Sequence, residues 1–140
     1  MVLERDLRSA WPHEGCALLL GEPGRVHWVW PCLNAWKPGA AEAPEFSRRN
    51  RFSIDPAELV AAQRWCRDRH WQLLGAAHSH PTGAVMPSAE DLHWGWPGAL
   101  MLIRGYAPLA WGAWSLQGEL GCLQPQALHL QLTGDGHLGK

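Results

Sequence analysis

Two histidines stand one residue apart at His78 and His80, Pro81 follows them, and a serine and an acid complete the stretch at Ser88 and Asp91: HSHPTGAVMPSAED. In a strand, residues i and i+2 project from the same face, so both imidazoles point one way and Ser79 the other. Neutral imidazoles with one carboxylate are suitable zinc ligands, which makes His78, His80 and Asp91 a candidate set. Three protein ligands leave the fourth tetrahedral position for water, and that open position separates a catalytic site from a closed structural one. Peptide hydrolysis also needs a base to take a proton from the water and return it to the leaving amine, and Glu14 is the candidate. A plainer reading stands beside this one. H-x-H alone is a weak metal signal, and Ser88 with Asp91 fits an S-x-x-D helix cap. The two readings ask different things of Asp91, because a carboxylate on a metal is less free to reach back to the Ser88 amide.

Other chemistries fail on spacing. HEGCA begins like the H-E-x-x-H zinc helix, but Ala17 occupies the place of the second histidine. No P-C-x-x-C follows the histidines, so the deaminase pattern is absent. Cys16, Cys32, Cys66 and Cys122 form no C-x-x-C pair, which removes a zinc ribbon and a thioredoxin-like motif and leaves small buried hydrophobes. His13, His27, His70, His93, His129 and His137 have no comparable partners and read as solvated or satisfied histidines.

The elements that must position these groups follow from apolar spacing. Leu3, Leu7 and Ala10 predict a short helix over 3–10 that ends before Pro12. CALLL at 16–20 and VHWVW at 26–30 flank the turn-rich GEPG and predict an antiparallel strand pair, with Glu14 at its mouth. Residues 34–50 lack periodicity and predict a surface loop, after which RFSI reads as a strand. Asp55 and Pro56 are an N-cap and first-turn pair for a helix to about Asp68. WQLLGAAHSH is apolar until its end, as in a central strand that delivers polar residues at its rim. Pro81 stops that ladder, and the loop containing Gly83 folds the chain back to a short helix from Ser88. Strands are expected near 99–104, at 109–116 and at 118–123, with LHLQL at 128–132 as an edge strand. One domain over 1–132 and a flexible tail over 133–140 complete the expectation.

Composition narrows the class. A chain of 140 residues with 46% hydrophobic and 18% charged residues suits one globular domain, and 15 Gly with 11 Pro imply many turns. A formal net charge of -1 gives no broad attraction for nucleic acid. The local cluster Arg48, Arg49 and Arg51 reads as a solvated loop, with an acidic partner as the sharper alternative. The N-terminus lacks the apolar core of a secretory signal, and Arg104, Gly105 and Pro108 interrupt the apolar stretch 99–116, so no membrane span and a cytoplasmic location are expected. Ten tryptophans, most in or beside apolar runs, read as core and sheet packing.

Glu14 before an apolar strand, then H-S-H-P, a six-residue spacer ending in Pro87, and S-A-E-D together resemble the JAMM metalloproteases, or MPN-plus domains, in their compact prokaryotic form. PHEGCALLLG, the NAW-containing loop and RFSIDPAEL extend the likeness over most of 1–132, with Ala17 standing where many relatives have Gly. The resemblance implies a single-domain α/β fold of the JAMM/MPN, cytidine-deaminase-like type: a curved, mainly antiparallel sheet flanked by helices. It implies one zinc ion per chain on His78, His80 and Asp91, with Glu14 as general acid/base on the zinc-bound water and Ser88 stabilising the oxyanion.

The implied activity is that of a zinc peptidase or deubiquitinase-like isopeptidase. Its substrate would be a ubiquitin-like or sulfur-carrier protein, cut after an extended C-terminal tail that can add as a strand to a sheet edge. Two other outcomes stay open at this point. One is a non-catalytic MPN-type interaction module, which typically lacks part of the metal and base set. The other is a RadC-like, DNA-associated protein, whose H-x-H-P-S-G motif differs at Thr82.

Overall fold

Leu3 and Leu7, one helical turn apart, are the residues that α1 (Val2–Ser9) buries. The structure is a computed structural model and describes residues 2–107, 110–132 and 138–139. After α1 come β1 (Cys16–Glu22), β2 (Arg25–Cys32), α2 (Pro56–Arg67), β3 (Gln72–Ser79), α3 (Ala89–Trp94), β4 (Leu100–Arg104), β5 (Trp111–Gln117), β6 (Gln124–Ala127), β7 (Gln131–Leu132) and β8 (Leu138–Gly139). The strands form one sheet in the order β6-β5-β4-β3-β1-β2-β8-β7. β3 and β4 pair in parallel and every other pair is antiparallel. A parallel pair needs a crossover, and α3 lies in it. The expected α/β architecture of a mainly antiparallel sheet with helices is therefore present.

Helices cover both faces of the sheet, and the alternation of side chains along β1 shows which lies where. Ala17 and Leu19 pack with Leu3 and Leu7 of α1, whereas Leu18 and Leu20 pack with Ala62 and Cys66 of α2. In β4, Leu100 and Leu102 join the α1 side, and Met101 and Ile103 form a cluster with Leu92 of α3. β1 is thus buried on both faces and reads as a continuous apolar run for that reason. Trp30, Trp65, Trp71, Trp111 and Trp114 pack against these clusters, while Trp11 and Trp94 are exposed.

Several sequence expectations are corrected. Gly118–Leu123 is no strand. Gly118 and Gly121 adopt φ of 108° and 86°, left-handed values that turn the chain between β5 and β6. RFSI makes no ladder either, because the Ser53 N–H goes to Asn34 Oδ1 and the Ser53 carbonyl accepts from the Ala35 N–H. Only Gln131 and Leu132 of the LHLQL segment enter a strand, with Leu128 hydrogen-bonded to Ala113 instead. The 34–50 segment carries no helix or strand, as its composition implied. Of the expected tail, 133–137 and 140, including His137, lie outside the described residues, and Leu138 and Gly139 pair with Val26 and Arg25.

The β3–α3 loop is pressed onto β5. Trp114 Nε1 donates to the Val85 carbonyl at 2.8 Å, and a Cβ added at Gly112 would lie 2.2 Å from that carbonyl oxygen. Gly112→Ala is therefore expected to destabilise the protein by about 1–3 kcal/mol through overpacking. Urea unfolding checks this, and an unchanged midpoint would mean that the loop has room to move.

Candidate metal centre

β3 ends where its polar residues begin. Its register sets His78 between Cys16 of β1 and Ile103 of β4, and the His80 N–H extends the ladder by donating to the Arg104 carbonyl at 2.8 Å. Ser79, on the opposite side, accepts from the Gly15 N–H at 2.8 Å, and its own N–H donates to the Gly15 carbonyl at 3.1 Å. The rim of β3 is thereby tied to the residue that follows Glu14.

Three donor atoms converge at this rim. The two histidine Nε2 atoms are 3.0 Å apart, and Asp91 Oδ2 lies 3.1 Å from that of His78 and 3.2 Å from that of His80. Bonds of 2.0–2.1 Å to a tetrahedral zinc ion imply donor separations of roughly 3.3 Å, so the triangle has about the right edge. His80 Nδ1 lies 2.7 Å from the Ala84 carbonyl. A carbonyl can only accept, so Nδ1 carries a hydrogen, and Nε2 is the nitrogen that faces inward. His78 is fully buried and stacks on Phe52, with ring centroids 4.6 Å apart and planes at 24°. Its Nδ1 has no hydrogen-bond partner among the described residues, which leaves Nε2 as its one engaged nitrogen. Two imidazoles and a carboxylate facing one point fit a divalent cation.

Asp91 reconciles the two demands that its position raised. Ser88 caps α3 by accepting from the Asp91 N–H at 3.1 Å, and Asp91 Oδ2 accepts in return from the Ser88 N–H at 2.9 Å. This is a complete capping box, and the same Oδ2 also faces the imidazoles. One oxygen has lone pairs for both tasks, so the cap orients the carboxylate and does not compete with the site. The Ser88 side chain sits at the exposed end of this arrangement.

Charges in the site are strongly coupled. Burial raises the Asp91 carboxyl, but hydrogen bonds from His78, His80 and the Ser88 amide outweigh it and hold the group well below the ordinary carboxylate range. Burial lowers the His78 imidazole and keeps it neutral. The same penalty acts on His80, where the bonds to Asp91 and the Ala84 carbonyl outweigh it and raise the group. Glu14 is 5% exposed, and burial pushes its carboxyl up to about 8. The charge of His80 opposes that rise, Asp91 adds to it and Arg51 opposes it, so Glu14 lies within electrostatic reach of the triangle.

All five residues singled out in the sequence thus gather at one rim: His78, His80 and Asp91 in contact, Ser88 on Asp91, and Glu14 beside them. Sequence reasoning missed Phe52, Ser79 and Asn34, whose roles arise from contacts across the fold, and Ala84, whose carbonyl meets His80 within one loop. The family model of prokaryotic homologs of the JAB domain matches residues 2–117. The chain belongs to this family. JAB domains include metalloproteases, so the family agrees with the JAMM/MPN resemblance and with the grouping of His78, His80 and Asp91. No curated protein matches this JAB domain in sequence. It is similar to a solution structure of a protein from Desulfitobacterium hafniense, at 26% identity and TM-score 0.69 over 93% of this chain and 86% of that one. A solution structure from Salinibacter ruber is similar at 26% identity and TM-score 0.57 over 89% and 84%. Among the described residues of the JAB domain no helix is long and apolar enough to cross a membrane.

Removing any one donor breaks the triangle. His78→Ala, His80→Ala and Asp91→Ala are each expected to lose bound zinc after dialysis, as elemental analysis would show, and wild-type stoichiometry in all three would remove the site. A second expectation concerns Glu14. Its folded pKa of about 8 lies above the ordinary 4.5, so the stability it contributes is complete below the lower value and is lost as pH rises through the upper one. With chelator present, the wild type is expected to lose stability relative to Glu14→Gln across that window, measured by urea unfolding at several pH values. A pH-independent difference would show that Glu14 is not perturbed.

Proposed function

We propose that this JAB domain is a zinc-dependent peptidase or isopeptidase that cuts after the extended C-terminal tail of a ubiquitin-like or sulfur-carrier protein. The observation that carries the reading is a buried carboxylate, Glu14, beside a converging His78–His80–Asp91 triangle. A module used only for protein contacts would gain nothing from burying that acid.

His78 Nε2, His80 Nε2 and Asp91 Oδ2 would hold the ion, oriented by the Ala84 carbonyl and the Ser88 amide. A zinc ion there supplies Lewis acidity, polarising the scissile carbonyl and lowering the pKa of a water to about 7. Glu14, as the carboxylate, takes a proton from the attacking water on a side-chain oxygen and passes it to the leaving amine, so one residue acts first as base and then as acid. Burial raises its proton affinity toward the working pH, which suits both steps. The Ser88 hydroxyl donates to the developing oxyanion while its oxygen keeps the Asp91 N–H. The family likeness supports an extended C-terminal tail as substrate.

The test is incubation of zinc-loaded protein with carrier fusions and conjugates, followed by intact-mass analysis. Cleavage at the end of the carrier tail is expected. Glu14→Gln should keep its zinc and lose roughly 10²- to 10⁴-fold in turnover. Ser88→Ala should keep its zinc and lose up to roughly 10²-fold in kcat. Undiminished turnover in Glu14→Gln would take Glu14 out of the mechanism, and no cleavage of any carrier by the wild type would overturn the proposed activity.

A further inference from the structure

Glu14 lies two residues before β1, outside the ladders that fix the strands. Its backbone is held by a loop instead: its N–H donates to the Arg48 carbonyl at 2.7 Å, and its carbonyl accepts from Asn34 Nδ2 at 3.0 Å. Asn34 stands two residues past the end of β2 and uses the full capacity of its side-chain amide. Nδ2 also donates to the Arg51 carbonyl at 2.9 Å and leans toward the Arg48 carbonyl at 3.4 Å. Oδ1 accepts from the N–H groups of Trp36 at 3.1 Å and Ser53 at 3.3 Å. A planar amide offers two donors and two acceptor lone pairs from one short side chain, and all four directions are engaged here.

The segment gripped by this amide lies against the histidines. Phe52, between the two residues bonded to Asn34, stacks on His78. The Arg51 guanidinium sits over the Phe46 ring at 3.9 Å, and Arg48 Nε donates to the Trp36 carbonyl at 3.0 Å, which braces the same loop. We propose that Asn34 is a positioning residue for Glu14, coupling the backbone of the proton-transfer group to the loop that packs on His78. This rests on the reading of Glu14 given above. A misplacement of about 1 Å near the chemistry can cost roughly 10²-fold in rate, so an amide that fixes the Glu14 carbonyl and its loop together has a large lever.

Asn34→Ala removes the whole hub. Asn34→Asp keeps an acceptor for the Trp36 and Ser53 N–H groups and turns the donor face against the carbonyls of Glu14 and Arg51, so it isolates the Nδ2 bonds even if the alanine variant folds poorly. For Asn34→Asp in zinc-loaded protein, kcat is expected to fall roughly 10- to 100-fold with KM little changed and zinc stoichiometry unchanged. In a Glu14→Gln background the same substitution should have almost no further effect, because there is no longer a base to position. An equal fall in both backgrounds would overturn the proposal. A second readout needs no turnover: in metal-free protein, amide hydrogen exchange at Glu14 should speed up in Asn34→Asp while Leu18 and Leu19 in β1 keep their protection. Unchanged exchange at Glu14 would overturn the proposal, and it would do so even if the wild type cleaved no carrier.

Discussion

Two imidazole Nε2 atoms and a carboxylate oxygen are held within 3.2 Å of one another at the end of β3. Such groups repel or compete for protons unless a cation sits among them, and low dielectric sharpens the conflict. The surrounding structure prevents them from relaxing apart. The β3–β4 ladder fixes the backbone of His80, the Ala84 carbonyl fixes its ring, Phe52 packs on His78, and the α3 cap fixes Asp91. A site prearranged in this way is positioned to take a divalent ion without having to gather its ligands first.

The sheet makes this arrangement possible by separating tasks between its two faces. β1 alternates between the α1 and α2 sides, and its register brings Cys16 opposite His78, which leads Glu14 to the histidines. Ser79 points the other way and uses its hydroxyl on the Gly15 amide. Burial then does chemical as well as structural work. The same desolvation that raises Glu14 keeps His78 neutral and able to donate a lone pair. The 33–55 stretch, which carries no regular element, closes the remaining side through Asn34 and Phe52.

Much of this was legible in the sequence because it follows from local rules. Leu3 and Leu7 at helical spacing, Asp55 before Pro56, and the apolar run up to His78 predict α1, α2 and β3 with small boundary errors. Gly118–Leu123 misled because its apolar content suggests a strand, while two glycines with left-handed backbone make it a turn. The RFSI segment misled because a distant asparagine takes the hydrogen bond that a ladder would have used.

The sequence by itself determined the candidate residues and their order along the chain: Glu14, His78, His80, Ser88 and Asp91 are a matter of residue type and spacing. Only the tertiary structure decided how those groups share space. That one Asp91 oxygen serves both the cap and the triangle, that the Ala84 carbonyl selects the His80 tautomer, and that Asn34 holds the Glu14 backbone are long-range or geometric facts. Spacing along a chain fixes which face a side chain takes, but a hydrogen bond between residues brought together by folding leaves no periodic trace in the sequence.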